Sequence, residues 1–300
     1  MSSQADAQHD KLSAGLLYGS LAALIWGAWP VVSRFGVQQS LTPYDITALR
    51  FGVAGLLLLP LIWRRGLGGV GWIGALVLAA GAGVPYVLVT VGGLSLAPAG
   101  HAGVIVPSCM LTFSALGSWL FLGDRPGRTR LLGLAVIIGG VLMIGWQGLA
   151  GSGAEVWTGD LMFVAGGLFW AIYTVGSRYW SVDPLHATAL VSVLSMVLYL
   201  PIYPLFGEPQ IFTAPLSETL FQGLFQGLFA AVLALLFYTR AVALLGASRG
   251  AVFAALVPGF AVLMAYPALG EVPSWRELLG VAVVSAGMVA ALGLHRVLRN

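Results

Sequence analysis

The chain has 300 residues, of which 59% are hydrophobic and 8% are charged, and its formal net charge is +3. A soluble domain carries about 25% charged residues, and a soluble fold of this length could not hide so much apolar surface from water. The composition therefore excludes an ordinary soluble domain, and the basic residues form no run that would predict a nucleic-acid-binding patch.

A polar N-terminal tail, residues 1–13, precedes ten apolar stretches that are each long enough to cross a bilayer as a helix of about 20 residues. The runs are too long for the two-residue alternation of a membrane β-barrel. The sequence therefore predicts an all-α polytopic membrane protein. The expected spans are 14–33, 44–63, 70–92, 98–121, 131–149, 158–178, 186–206, 217–240, 248–269 and 276–296.

The distribution of Lys and Arg predicts the orientation of these spans. With the N-terminus in the cytoplasm, eleven of the 14 basic residues lie in cytoplasmic segments. Only Arg34 and Arg276 then lie outside, and Arg50 lies within the second span. Cytoplasmic loops are enriched in Lys and Arg, so we expect both termini in the cytoplasm.

Two halves of the chain resemble each other. WGAWPVVSR begins at Trp26 in the first expected span, and WAIYTVGSR begins at Trp170 in the sixth. LGDRPGRTRLLGLAV begins at Leu122, and LGEVPSWRELLGVAV begins at Leu269, without a gap between them. Repeats of this kind are typical of duplicated architectures.

Each repeat contains five helices, and an odd number places the second copy upside down in the membrane. We therefore expect two inverted five-helix repeats, residues 14–149 and 158–296. Inverted repeats are typical of secondary transporters that bind substrate near the membrane midplane. A scaffold or channel is the alternative interpretation of the duplication.

The motifs resemble the drug/metabolite transporter superfamily, in its EamA-type branch of ten helices in two inverted halves. The resemblance covers about residues 14–296 and rests on Trp26-Gly27, Arg50 and the doubled Gly-Asp/Glu-x-Pro…Leu-Leu-Gly turn. This likeness implies a transporter rather than an enzyme, with no cofactor.

More narrowly, the chain is similar to the YddG-type exporters of aromatic and other amino acids. The similarity rests on the region of Tyr86, on VIVPS at Val104–Ser108 and on FWAIY at Phe169–Tyr173. It implies export of amino acids from a bacterial cytoplasm through the inner membrane. Val106 stands where such proteins tend to have Trp, so the substrate preference of this chain could differ.

On the basis of this resemblance, the first, third, fourth, sixth, eighth and ninth helices would line a central cavity. Aromatic rings at mid-depth depart from the usual interfacial position of Trp and Tyr, and they could stack on a substrate or hold an ammonium group. Core packing or lipid contact is the alternative for each ring, and for Tyr86 and Tyr238 a backbone carbonyl could replace substrate as the hydroxyl's partner. The candidate substrate-binding residues are Trp26, Trp29, Tyr86, His101, Trp170, Tyr173 and Tyr238. For His101, near the start of the fourth helix, a hydrogen-bonded residue at a helix end is the alternative.

Prolines inside the expected spans remove backbone hydrogen bonds and bend helices. The candidate bend points are Pro30, Pro85, Pro107 and Pro258. Arg50 lies about 10 Å along the second helix from Pro43, and we expect it to extend outward to the membrane surface rather than to contact substrate.

No Asp or Glu lies in the middle of an expected span, so no buried carboxylate relay is predicted. No Walker motif, HExxH pair or GxSxG turn is present, so ATP-driven transport and hydrolysis are unsupported, and no metal site is expected.

The leading hypothesis is an amino-acid exporter of broad specificity that works by alternating access, with a small molecule and the lipid bilayer as partners. Export of other metabolites or of cationic drugs is the alternative. Facilitated flow and proton exchange through His101 both remain open, as does the oligomeric state.

Overall fold

The computed structural model describes residues 2–150, 154–206 and 209–293 and contains, over these residues, ten helical segments and no strand. The helices of the first half are α1 (Ser2–Gln38), α2 (Pro43–Arg65), α3 (Gly71–Leu96), α4 (Ala99–Leu122) and α5 (Arg128–Ala150). Those of the second half are α6 (Ala154–Tyr179), α7 (Pro184–Tyr199), α8 (Leu216–Leu245), α9 (Ala247–Leu269) and α10 (Trp275–Ala291). The predicted all-α fold is confirmed, although α1 already begins within the polar tail.

Among the described residues, eight helices are long and apolar enough to cross a membrane. The other two are α7, with 16 residues, and α10, with 17. The seventh expected span, 186–206, is therefore too long, because α7 ends at Tyr199 and a 3₁₀ turn follows at Tyr203–Phe206. Pro201 lies just past this end and has no N–H to donate to the helix, which is consistent with the helix ending here. Residues 294–296 of the tenth expected span lie outside the described residues.

Two helices depart from regular α-helical geometry, at corresponding places in the two halves. In α3 the helix is interrupted at Gly83, between Gly71–Ala82 and Val84–Leu96. A side chain at Gly83 would collide with the Ala79 carbonyl oxygen and the Ser195 hydroxyl. In α8 the segment Leu224–Leu233 is π-helical. Such departures are often found at functional sites.

The contacts between helices repeat when helix n is exchanged with helix n+5. Helix α1 packs on α8 and α9, and α6 packs on α3 and α4. The pairs α2–α7, α4–α9 and α5–α10 each exchange with themselves. This pattern fits two inverted five-helix repeats. In it, α1 packs against helices of the second half, and α6 packs against helices of the first half.

Glycines allow close approach between α5 and α10. A methyl group added at Gly140 would lie 2.7 Å from Val284 Cγ2 and 3.0 Å from the Gly280 carbonyl oxygen. The carbonyl belongs to the backbone of α10 and cannot rotate away. Small residues at helix interfaces of membrane proteins permit this kind of close backbone packing.

Replacing Gly140 by Val should destabilise the protein by roughly 1–3 kcal/mol, because the added methyl groups force α5 and α10 apart. Thermal unfolding of purified protein in detergent measures the effect. Gly139→Val is the matched control, since Gly139 is exposed and has no neighbouring atom within 4 Å. Equal unfolding temperatures for the two variants would contradict the proposed role of close packing.

Candidate functional site

A cavity of about 360 Å³ lies between the two halves. It is lined by residues from α1, α2, α3 and α4 of the first half and from α6, α7, α8 and α9 of the second half. The resemblance implied six lining helices, and α2 and α7 add to that set. The volume lies in the range of small-molecule sites, which are about 300–1,000 Å³.

Six of the seven candidate substrate-binding residues line this cavity. They are Trp26, Trp29, Tyr86, Trp170, Tyr173 and Tyr238.

Four of these rings form a continuous aromatic wall, and Trp26 and Tyr238 form a separate pair with ring centres 5.3 Å apart. Trp29 stacks on Tyr86 with ring centres 5.9 Å apart, and Tyr86 meets Trp170 edge-on at 4.8 Å. Trp170 in turn meets Tyr173 edge-on at 5.5 Å. Residues of both repeats therefore build one surface, on which an apolar or aromatic group could pack.

The Trp29 ring is fixed from behind by a buried polar network. Its indole N–H donates to Gln226 Oε1 at 2.7 Å. The Gln226 amide nitrogen donates to Ser33 Oγ at 2.9 Å and to Gln222 Oε1 at 3.2 Å. Gln222 donates to the Val32 carbonyl oxygen at 2.7 Å, so α8 holds the face of α1 that carries Trp29.

Arg50 also lines the cavity, contrary to the expectation that it extends to the membrane surface. Only 8% of Arg50 is exposed, and its guanidinium carbon lies 5.7 Å from the centre of the Trp29 ring. Neither Nε nor Nη1 has a hydrogen-bond partner in the described part of the chain. The prediction that Arg50 extends outward is therefore wrong. Its guanidinium lies beside Trp29 of α1 and faces the cavity.

His101, by contrast, lies apart from the aromatic wall. It lines a second cavity of about 170 Å³, together with Glu271 and Glu277. Its Nδ1 and Nε2 lie 2.8 Å from Asp160 Oδ1 and from Glu277 Oε1. A neutral imidazole has one N–H, so two such hydrogen bonds need an imidazolium or one protonated carboxyl group.

This cluster revises the expectation about carboxylates. Asp160 and Glu277 lie near the starts of α6 and α10, as the sequence indicates, yet Asp160 is buried and bonded to His101. Glu277 also forms a capping box with Ser274 at the start of α10. The cluster joins α4, α6 and α10 at one end of the molecule.

Two ion pairs occupy equivalent positions in the two repeats. Arg34, at the end of α1, pairs with Glu271 in the α9–α10 connection. Arg178, at the end of α6, pairs with Asp124 in the α4–α5 connection, with Nη1 and Oδ2 3.3 Å apart. We call them the Arg34 pair and the Arg178 pair.

The two pairs differ in burial and in additional contacts. Side chains of the Arg34 pair are 16% and 18% exposed, against 51% and 41% in the Arg178 pair. Arg34 also donates to the carbonyl oxygens of Leu94 and Ala97, and Glu271 accepts from the Ala99 N–H at 2.9 Å. Arg178 donates to Ser118 Oγ at 3.0 Å, so both pairs have further contacts, and the Arg34 pair, at the same end as the His101 cluster, is the more buried and has more of them.

The candidate bend points differ in their local structure. Pro30 and Pro107 line the cavity, and both lie inside helices that continue through them, as does Pro258. Pro85 lies directly after the interruption of α3 at Gly83. The observed break in a helix thus lies beside one of the four prolines.

Sequence reasoning missed Gln222 and Gln226 because their partners on α1 are distant along the chain. A signal was present, since two amides four residues apart share a face of an otherwise apolar span. Polar side chains at such depth need partners within the protein.

Comparisons with known proteins agree with this architecture. The model of the EamA-like transporter family matches residues 13–146 and again residues 157–293. An "Uncharacterized transporter" of Archaeoglobus fulgidus is 27% identical over 279 residues, which cover 90% of this chain and 94% of that protein. The "Uncharacterized transporter YyaM" of Bacillus subtilis is 25% identical over 200 residues, 65% of each chain. A solved crystal structure with 24% sequence identity covers 94% of this chain and 98% of its own, with a TM-score of 0.63, and shows the fold.

Replacing Gln226 by Leu should destabilise the protein by roughly 1–3 kcal/mol, because the buried Trp29 N–H and Ser33 hydroxyl lose their partner. The unfolding temperature in detergent and the emission wavelength of the tryptophans measure the change. Gln39→Leu makes the same substitution at an exposed position and should have little effect. An unchanged unfolding temperature for Gln226→Leu would show that the network does not hold Trp29.

Proposed function

The chain belongs to the EamA-like transporter family as a multi-pass membrane protein, and we propose that it exports amino acids, aromatic and other neutral ones, from a bacterial cytoplasm. The substrate occupies the 360 Å³ cavity between the two halves. Both termini lie in the cytoplasm, as the distribution of Lys and Arg favours.

The observation that carries this proposal is the aromatic wall contributed by both repeats. It joins Trp29 and Tyr86 of one half to Trp170 and Tyr173 of the other. A neutral amino acid needs an apolar surface for its side chain and polar groups for its ends, and the hydroxyls of Thr188 and Ser192 lie in the same cavity. The described lining contains no Asp or Glu, which disfavours a cationic drug as cargo.

The paired repeats support alternating access as the mechanism. In the proposed orientation, the Arg34 pair and the His101 cluster lie at the outer end, and the Arg178 pair lies at the cytoplasmic end. Both pairs are formed and the outer contacts are the more buried, so the cytoplasmic end is the one that should open first to load cargo. Opening to the outside then requires the Arg34 pair to separate while the Arg178 pair keeps the cytoplasmic end closed.

Reconstituted protein should exchange labelled phenylalanine, threonine and methionine across proteoliposome membranes, and Trp170→Ala should reduce this flux at least tenfold. The loss follows because the ring joins Tyr86 to Tyr173, and a hot-spot aromatic contributes about 2 kcal/mol or more to binding. Initial rates at several concentrations separate the substrate affinity from the turnover rate.

Trp63→Ala is the matched control, because Trp63 is 85% exposed at the end of α2. A quaternary ammonium dye tests the alternative cargo in the same vesicles. The absence of protein-dependent flux for every amino acid would contradict the proposal. Dye flux without amino-acid flux would favour a cationic drug as the cargo.

Neutralising one ion pair at a time should shift which end of the cavity is open. Ser192→Cys in a Cys109→Ser background places one thiol in the cavity, and a membrane-impermeant maleimide reports its exposure from the outside. Adding Glu271→Gln should raise the labelling rate severalfold, because the closed outer end loses its partly buried ion pair.

Asp124→Asn is the matched change at the other end, and it should leave labelling from the outside unchanged or slower. Equal labelling rates for the two variants would contradict a gating role for the Arg34 pair.

A further inference from the structure

We propose that Arg50 is the anchor for a substrate carboxylate, so that the carboxylate, rather than the ammonium group, is the part of the substrate that the cavity requires. The substrate class is then monocarboxylates with an apolar or aromatic side chain, whether or not they carry an amino group. This inference rests on the proposed function in taking the 360 Å³ cavity as the transport site.

The first observation is that Arg50 is charged, buried and short of partners. Its side chain is 8% exposed, and Nε and Nη1 meet no acceptor among the described residues. A buried charge without a partner is unfavourable, whereas a planar guanidinium matches a carboxylate with two parallel hydrogen bonds. Nε and Nη1 lie on different edges of the guanidinium, and each forms a parallel pair of donors with Nη2, so both edges have a donor available to an anionic ligand.

The second observation is that two other partly buried or half-exposed arginines, Arg34 and Arg178, have carboxylate partners within the protein. Arg34 pairs with Glu271, and Arg178 pairs with Asp124. Arg50 has the same kind of side chain and lies deeper, yet the described cavity lining supplies no carboxylate to it. A ligand that enters the cavity can supply one.

The third observation is that Arg50 is held in place on an aromatic surface. Its guanidinium lies over the Trp29 ring, and the indole of Trp29 is fixed by Gln226. Trp29 also stacks on Tyr86, so the wall that would hold an apolar side chain begins beside the charge. One ligand can therefore contact the guanidinium and the aromatic wall together.

An ammonium group has no equivalent partner among the described lining residues of this cavity. Without an Asp or Glu in the described lining, it meets aromatic faces and the hydroxyls of Thr188 and Ser192. Such cation–π contacts are weaker than a desolvated guanidinium–carboxylate pair, and a substrate ammonium is also repelled by Arg50. Removing the amino group should therefore preserve binding, and removing the carboxylate should abolish it.

Three ligands with the same ring and two-carbon chain test whether the cavity requires the carboxylate or the ammonium group: 3-phenylpropionate, phenylalanine and phenethylamine. Titration into the purified full-length protein in detergent, followed by tryptophan emission and by calorimetry, gives the dissociation constants. We expect 3-phenylpropionate to bind at least as tightly as phenylalanine, and phenethylamine to bind at least tenfold more weakly than either.

The variants Arg50→Gln and Arg50→Lys test the residue itself. Arg50→Gln should weaken binding of 3-phenylpropionate at least tenfold, and Arg50→Lys should give an intermediate loss because it keeps the charge without the planar fork. Arg64→Gln is the matched control, at an exposed position near the end of the same helix. Without ligand, Arg50→Gln should unfold at the same temperature as the unchanged protein or higher, which a structural arginine would not allow.

The outcomes separate the carboxylate anchor at Arg50 from the proposed export of amino acids. Equal affinity for phenethylamine and 3-phenylpropionate in the unchanged protein overturns the carboxylate anchor, even if Arg50→Gln does not fold. Unaltered binding by a folded Arg50→Gln overturns it as well, while phenylalanine flux in proteoliposomes would still uphold amino-acid export. Arg50-dependent binding of 3-phenylpropionate without phenylalanine flux upholds the anchor and rejects amino-acid export.

Discussion

Inside a bilayer, every backbone N–H and C=O group must find its partner within the protein, and this constraint governs the whole architecture. Regular helices meet it without help, so any departure from regular geometry needs a compensating neighbour. The departures in the described chain are the interruption of α3 at Gly83 and the π-helical part of α8. Ala82 and Tyr86 flank the first, and Ala230 and Ala231 lie in the second, and all four line the cavity. The backbone is thus irregular where the molecule is hollow.

The symmetry between the two halves is close in the helix contacts and incomplete in the polar groups. The Arg34 and Arg178 pairs correspond, and the rings of Trp26 and Trp170 hold matching places. The cluster of His101, Asp160 and Glu277 joins three helices at one end, and the described residues form no counterpart at the other. The two repeats therefore share a backbone arrangement but differ in polar contacts. The two ends of the molecule are held together by different numbers of ion pairs and hydrogen bonds.

Much of this structure could be predicted from the sequence, and the parts that could not share a physical reason. Hydropathy and the internal repeat predicted the helices, because both are local properties of the chain. The end of α7 was misplaced, since Tyr203 is apolar enough to extend a span while its hydroxyl in fact bonds to Asp45. Trp26, Trp29, Trp170 and Tyr173 could be chosen as candidates because they occupy matching positions in the repeats, whereas Tyr86 came from the resemblance. Arg50 and the pair Gln222–Gln226 were not predicted, because their roles depend on contacts between α1, α2 and α8 that spacing along the chain does not encode.

The separation of the two ion pairs from the cavity has a consequence for how such a protein can diversify. The Arg34 pair and the Arg178 pair lie at opposite ends, and neither belongs to the lining of the 360 Å³ cavity. A single substitution at one end can therefore alter the resting balance between the two access states without altering what the cavity recognises. Under the proposed mechanism, the side of the membrane to which the empty cavity is mostly open and the choice of cargo become independent traits, each open to selection without loss of the other.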